Sequence, residues 1–356
     1  MKRPHVALLG AANSIHIQRW ASALAGRDWR VSLITQHSHD ALPLPAAVEL
    51  HILPAWGELG YFLNAPALAA LLRRLRPDLL NAHYASGYGS TAAFAGFAPT
   101  LLSVWGSDVY DFPYESAIKG WLLRRNLRFA TAIASTSEAM ARQVRHLVPE
   151  VAEPAITPFG VDLARFARLT RVERPLTVGI VKSLAPNYGI DLLLRAFVGL
   201  PEFCRLMIVG DGPQRSELEA LASELGIAAR TEFVGAVAHT DVPSWLNRLD
   251  IYVAPSRLES FGVAVIEASA CELPVVVSDA GGLAEVVRDG ETGLVVPCED
   301  VPALQGALIR LVLDAALRDR LGRAGRAHVM RAYEWGHCIE VMERCYERTI
   351  AKGPVR

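Results

Sequence analysis

Residues 256–282 read SRLESFGVAVIEASACELPVVVSDAGG and hold two glutamates, Glu259 and Glu267, with seven residues between them and Gly262 in that interval. The preceding run IYVAPS has the look of a strand and VAVIEASACE that of a helix, so a helix begins close to Gly262. Such a start leaves the N–H groups of Phe261, Gly262 and Val263 without intrahelical acceptors, and with the helix dipole these donors suit a phosphate. Carboxylates repel phosphate. Glu259 lies just before the helix end, and Glu267 sits about five residues into the helix, roughly 7 Å further along it. An ionised carboxylate is an acceptor only and suits vicinal hydroxyls. Hydroxyl-rich groups flanking a phosphate describe a nucleotide sugar, with the sugar on one side of the pyrophosphate and the ribose on the other. On spacing alone an alternative stays open, that both glutamates are solvated surface charges with a helix-capping contact.

The elements that must hold such a site follow from length and rhythm. At 356 residues the chain exceeds one ordinary core and suits two domains of roughly 150–200 residues. A 51% hydrophobic and 21% charged composition is that of a folded globular chain, and a net charge of -1 gives no support to nucleic-acid binding. The five cysteines show no metal-ligand spacing and read as buried free thiols of a reducing compartment. The apolar run of HVALLG, about six residues, is shorter than a signal core of roughly 7–15 or a membrane span of about 20. It reads as a first buried strand, and the protein as cytoplasmic, with a peripheral place at the inner face of the membrane left open.

Short apolar runs alternate with helix-period segments, the pattern of parallel sheets covered by helices. The strand candidates are HVALLG, RVSLIT, VELHIL, LLNAHYA, TLLSVWG and TAIAST, then LTVGIV, RLMIVG, TEFVG, IYVAPS, PVVVSD and GLVVP. GVDLARFARLTRVERP, without apolar period, reads as the linker, and the tail from about Val301 is helical throughout. The expected fold is α/β with two doubly wound Rossmann-like domains: residues 1–165 for the acceptor, 166–333 for the nucleotide sugar, and a closing helix, 334–356, returning to the first. Ligands of such sheets lie outside the carboxyl ends of the strands, so the site is expected in a cleft between the domains.

ESFGVAVIE, with its E-x7-E pattern, resembles glycosyltransferase family 4, retaining enzymes of GT-B architecture. GDGPQRSELE, FVGAV, the long segment around the two glutamates and DGETGLVVP stand in the order that family has them, densely over residues 176–300 and more loosely before. The resemblance implies that Glu259 contacts hydroxyls of the transferred sugar and Glu267 the ribose. It implies that Ser260 and the amides of Phe261, Gly262 and Val263 cradle the distal phosphate, that Gly210 and Gly212 approach the nucleotide side, that Val234 and Gly235 lie by the base, and that Gly281 and Gly282 close near the sugar. For Gly210 and Gly212 an ordinary tight turn is the alternative.

The chain also departs from that family. Its usual arginine and lysine fall here at Ser183 and Tyr188, and a pyrophosphate leaving group needs a cation or a metal, so Lys182, one position earlier, is assigned the role. Trp105 stands where the family has a histidine. Asp108 is the expected substitute for binding a sugar or acceptor hydroxyl, with His83 and Tyr84 next. The first loop, GAANSIHIQRW, offers Gly10, Asn13, Ser14 and His16 to the acceptor or the pyrophosphate; the same residues also read as the start of a plain amphipathic helix. No Asp-x-Asp signature is present, and no metal and no cofactor are expected. The implied activity is transfer of a glycosyl group from a nucleotide diphosphate sugar, a UDP-sugar first and a GDP-sugar second, to a hydroxyl of a glycan or lipid-linked acceptor in surface polysaccharide or lipopolysaccharide synthesis. A nucleotide-sugar-binding protein without turnover and a nucleotide-sugar epimerase are the alternatives. The segment IKGWLLRRNLRF carries Lys119, Arg124, Arg125 and Arg128 beside Trp121 and reads either as a contact to an anionic membrane or as a helix with one solvated basic face.

Overall fold

Every strand segment read from the sequence is a strand in the computed structural model, which describes residues 3–37, 44–170 and 174–353. Residues 171–173 of the expected linker lie outside the described residues. The chain divides into two compact units, Met1–Pro158 with Ile339–Arg356, and Phe159–Cys338.

The first unit holds β1 (His5–Leu9), β2 (Arg30–Thr35), β3 (Val48–Ile52), β4 (Leu79–His83), β5 (Thr100–Val104), β6 (Ala132–Ser135) and β7 (Ala155–Ile156) in the order β3-β2-β1-β4-β5-β6-β7. All neighbours are parallel, with Val6 opposite Val31 on one side and Leu79 on the other. β1, β4 and β5 are buried along their whole length, as strands covered on both faces must be, and their near-continuous Val, Leu and Ala runs follow from that. Only β7 escapes a sequence reading: it is two residues long with prolines on either side. The order runs outward from β1 in both directions, so the loops after β1 and β4 diverge and open a crevice beyond Leu9 and His83.

The second unit repeats the plan with β8 (Thr177–Val181), β9 (Arg205–Val209), β10 (Thr231–Gly235), β11 (Ile251–Ala254), β12 (Val275–Ser278) and β13 (Leu294–Val296) in the order β10-β9-β8-β11-β12-β13. Here the divergence lies beyond Val181 and Ala254. The expected doubly wound α/β fold is the one observed in each unit.

The helix Trp335–Lys352 passes from the second unit to the first. Its Tyr346, wholly buried, donates to Asn81 Oδ1 of β4 at 2.8 Å and sets its ring edge-on to Trp29 at 5.4 Å. Glu343 accepts from Arg27 at 2.7 Å and from the Trp29 indole at 3.0 Å. From Ile339 onward this helix is thus a structural member of the first unit.

Candidate functional site

Lys182 is the first residue past β8, and the loop of residues 255–262 follows β11, so both stand at the point where the second sheet's winding reverses. Lys182 Nζ donates to Glu259 Oε2 at 2.7 Å, with only 19% and 11% of the two side chains exposed. The same ammonium lies 4.3 Å from the centre of the Tyr188 ring. Tyr188, where the resemblance leads one to expect a lysine, thus offers a π face to this cation. A half-sheltered ion pair is costly to leave with one partner, so whatever separates these two charges must offer each a replacement.

The loops around this pair approach too closely for side chains. The Gly210 N–H donates to Gly235 O at 2.9 Å and the Lys182 N–H to Val209 O at 2.9 Å. A Cβ on Gly210, at φ +139°, would lie 1.9 Å from Lys182 O, and one on Gly212 2.5 Å from Leu184 O. Val234 is the bulged residue where β10 shifts register against β9. On the other side Arg257 grips Asp191 with two bonds of 2.8 Å and Glu299 with one of 2.9 Å, which raises the guanidinium's affinity for its proton and pins the loop before Glu259.

Gly262, at φ +103°, caps the helix Val263–Ala270, where the sequence placed its start. The Phe261 ring is buried edge-on against Phe159 and Tyr333, so this residue has only its backbone to offer. Gly281 and Gly282 back directly onto the same loop. The Gly282 N–H donates to Glu259 O at 3.0 Å, and added Cβ atoms would come within 2.2 Å of Glu259 O and 2.6 Å of Ser260 O. Glu267 is 5% exposed, and its Oε1 lies 3.1 Å from His239 Nε2. Tyr252, buried in β11, donates to Val181 O at 3.4 Å; burial, then the charges of Glu259 and Glu267, holds its hydroxyl firmly protonated. One buried hydroxyl thus senses both carboxylates.

The first unit's crevice is of another kind. Gly10 closes the first loop, and a Cβ there would meet Ile17 at 2.7 Å and His83 Cβ at 3.5 Å. Asn13 is exposed, while Ser14 and His16 are half-buried at the start of the helix Ile15–Ala25, which Ser14 caps without a side-chain bond. His83 is 1% exposed, and both its ring nitrogens are without a hydrogen-bond partner among the described residues. Burial drives its pKa down to about 3, so the imidazole is neutral. Trp105 gathers His83 at 5.1 Å, Tyr84 at 5.2 Å and His16 at 5.8 Å around its ring.

Asp108 requires a correction. Expected to present a carboxylate to a hydroxyl, it is 1% exposed and turned back into the protein. Its Oδ1 accepts the N–H groups of Trp105 at 3.1 Å and Gly106 at 2.8 Å, and its Oδ2 accepts that of Ala85 at 2.8 Å. Burial raises its pKa and the backbone amides oppose that rise. The side chain ties the turn after β5 to the loop after β4, and thereby holds Trp105 beside His83.

The second unit therefore brings together Lys182, Glu259, Gly210, Gly212, Gly235, Gly262, Gly281 and Gly282 as one set of packed loops, with Glu267 further along the helix. Sequence reasoning missed His239, Arg257 and Asp191. No motif flags a pairing across 28 or 66 residues. Of the basic segment's cations, Lys119 pairs with Glu115, Arg128 with Glu150, and Arg125 lies 4.0 Å over the Phe94 ring. That helix shows Ile118 and Trp121 to solvent, 76% and 60% exposed, together with the arginines Arg124 and Arg128. Among the described residues no group of three or more His, Cys, Asp or Glu is arranged to hold a metal ion, and no helix is long and apolar enough to cross a membrane.

A family model of glycosyl transferases group 1 matches residues 164–328, and a glycosyl transferase 4-like model matches residues 5–137. The chain is 33% identical over 222 residues to the GDP-mannose-dependent alpha-(1-6)-phosphatidylinositol monomannoside mannosyltransferase of Mycolicibacterium smegmatis, covering 58% of this chain and 56% of that one. Glycogen synthase of Mycobacterium tuberculosis is 31% identical over 227 residues, 62% and 53% of the two chains. The chain spans about half the length of the curated relatives it matches. Among solved structures, sucrose-phosphate synthase from Thermosynechococcus elongatus superposes with a TM-score of 0.86 at 23% identity over 98% of this chain and 100% of that one. Anabaena HepE, solved in complex with UDP, does so with 0.81 at 17% identity over 97% and 100%. At such identities these two likenesses speak for the fold.

Proposed function

Because the chain belongs to the glycosyltransferase family described by the group 1 and 4-like models, we propose that it moves a glycosyl group from a nucleotide diphosphate sugar to a hydroxyl of a glycan or lipid-linked acceptor, with retention at the anomeric carbon. The observation that carries this reading is the Lys182–Glu259 pair at the reversal point of the second sheet, on a glycine-packed loop that runs into a helix N-terminus. A donor can satisfy both charges at once. Its pyrophosphate takes Lys182 together with the amides of Phe261, Gly262 and Val263, and its sugar hydroxyls take Glu259. Glu267 takes the ribose, Val234 and Gly235 flank the base, and Gly210 and Gly212 let the backbone come close on the nucleotide side.

In the reaction the bond from the anomeric carbon to the phosphate oxygen breaks and a bond from the acceptor oxygen forms on the same face. The acceptor's proton passes to the departing phosphate, so no separate general base is needed. The leaving charge is met by Lys182 and the helix N-terminus, fixed dipoles that need no reorganisation. The family resemblance supplies retention. A UDP-sugar is taken first as donor and a GDP-sugar second; GDP-mannose is the donor named for the mycolicibacterial relative. Gly10, Asn13, Ser14, His16 and His83 are assigned to the acceptor, in surface polysaccharide or lipopolysaccharide synthesis.

A lipid-linked acceptor would bring the protein to a membrane surface. Supporting this is an apolar face of the first unit, where Leu59, Phe62 and Leu63 share one side of the helix Gly57–Leu63 and Phe62 meets Phe94 at 5.8 Å, with Arg125 over Phe94 and Trp121 beyond. Interfacial binding favours just such aromatic and leucine side chains with arginine beside them. Sedimentation with vesicles containing anionic lipid checks it: retention in the supernatant argues against a membrane role.

The donor is identified by thermal shift against a panel of nucleotide sugars, since a ligand bound only by the folded state raises Tm. Glu267→Ala should weaken nucleotide binding by about 1.5–3 kcal/mol, the scale of a lost charged acceptor. Equal affinity in calorimetry would remove the ribose assignment.

A further inference from the structure

Glu267 could not hold the ribose unaided. On a helix, with three side-chain torsions and almost no exposure, its carboxylate needs something to fix which way it faces and to offset the water it has lost. The structure assigns that task to His239: we infer that His239 is the positioning residue of the nucleotide site, holding one oxygen of Glu267 so that the other meets the ribose hydroxyls. This deepens the ribose reading and rests on it.

The geometry sets the roles. A carboxylate can only accept, so the 3.1 Å contact to Glu267 Oε1 requires the proton on His239 Nε2. His239 Nδ1 is buried and has no hydrogen-bond partner among the described residues, so a single bond orients the ring's polar edge, and that bond is to Glu267. The rest of His239 is held by other means. Its carbonyl accepts from the Arg165 guanidinium, and its ring lies against Phe166 with centroids 6.0 Å apart. It stands four residues past Gly235, whose carbonyl accepts from Gly210, so one stretch of chain passes from the base side of the site to the ribose carboxylate. Residues that orient a binding group from behind matter through the group they hold, and the consequence here is a specific one. His239 should govern discrimination between a ribose that has its hydroxyls and one that lacks them, and should leave the phosphate contacts alone.

Calorimetry with UDP and 2′,3′-dideoxy-UDP, and with the GDP pair alongside, tests it on the full chain. The parent should prefer the ribonucleotide by about tenfold or more, the scale of one charge-assisted hydrogen bond. His239→Phe keeps the ring against Phe166 and lacks the N–H; its preference should collapse toward unity by loss of ribonucleotide affinity, with dideoxy affinity unchanged. His239→Gln, which restores an N–H near the Nε2 position, should recover most of the preference. In a Glu267→Gln background His239→Phe should then change little. If the parent does not distinguish the two nucleotides, the ribose reading of Glu267 falls and this inference with it. If the parent distinguishes them and a folded His239→Phe variant does so equally, His239 has no positioning role while the ribose reading stands. Should His239→Phe melt early, His239→Leu takes its place under the same criteria.

Discussion

The two units build their crevices by the same strand order and furnish them with opposite chemistry. Beyond β8 and β11 stand a lysine, two glutamates and an arginine fork, packed through glycines that let backbone lie on backbone. Beyond β1 and β4 stand rings: His16, His83, Tyr84 and Trp105, with the one buried carboxylate turned inward to three amides. The topology provides a place and the loops provide the chemistry. A dianionic donor needs fixed cations and N–H groups. An acceptor hydroxyl needs orientation, and a histidine held neutral by burial can accept a hydrogen bond without charging the site.

The sharpest way to break this contrast is at Lys182. Lys182→Ala should lower turnover by roughly 10²–10³-fold, the scale of one lost charge-stabilising contact, and leave Glu259 without its partner. Near-parental kcat with the identified donor would show that the leaving charge is met elsewhere. Asp108→Asn probes the other crevice, where a carboxylate serves the fold. The side-chain amide would face the Ala85 N–H donor to donor, at a cost of about 1–3 kcal/mol in stability, while kcat well below Tm stays within a few-fold of the parent. A large kcat loss at unchanged Tm would mean that Asp108 works on substrate after all.

A subtler effect is expected at His83. Burial sets its folded pKa at about 3, below the ordinary 6.5. Between these values the unfolded chain takes up a proton that the folded chain refuses, so this group lowers stability as pH falls below about 6.5. His83→Leu removes that dependence, and relative to the parent it should gain up to about 2 kcal/mol between pH 7 and pH 5. A constant difference in melting temperature across that range would mean that the imidazole already has a proton acceptor in the folded state. The smallest expected effect is none: activity should persist in excess EDTA, because Lys182 and backbone amides meet the leaving charge. Loss of activity restored by Mg or Mn would overturn that.

The strands were legible because a parallel sheet covered on both faces demands continuous apolar runs. β7 was not, since a two-residue strand between Pro154 and Pro158 carries no period. In the site, Glu259, Gly262 and Glu267 could be placed because strand, loop and helix are consecutive. The Lys182–Glu259 bond spans 77 residues and the His239–Glu267 bond 28, distances at which spacing carries no information. Asp108 shows a different limit. Residue type announces a charge, yet the direction of the side chain is set by which amides the surrounding turns leave open. The basic segment shows it again: its cations are read easily, but their partners Glu115 and Glu150 and the Phe94 ring are not.

Because residues from Ile339 onward belong to the first unit, the order of synthesis and the order of completion differ. Asn81 receives its bond from Tyr346, 265 residues later, an interval of about 15–50 s at ribosomal rates of roughly 5–20 residues per second. The second unit is contiguous and has all its parts once Cys338 has left the exit tunnel. The first unit, begun earlier, waits with Trp29 and Asn81 uncovered until the final helix emerges. A chain truncated after Cys338 and released should therefore resist protease across the second unit and remain cleavable in the first.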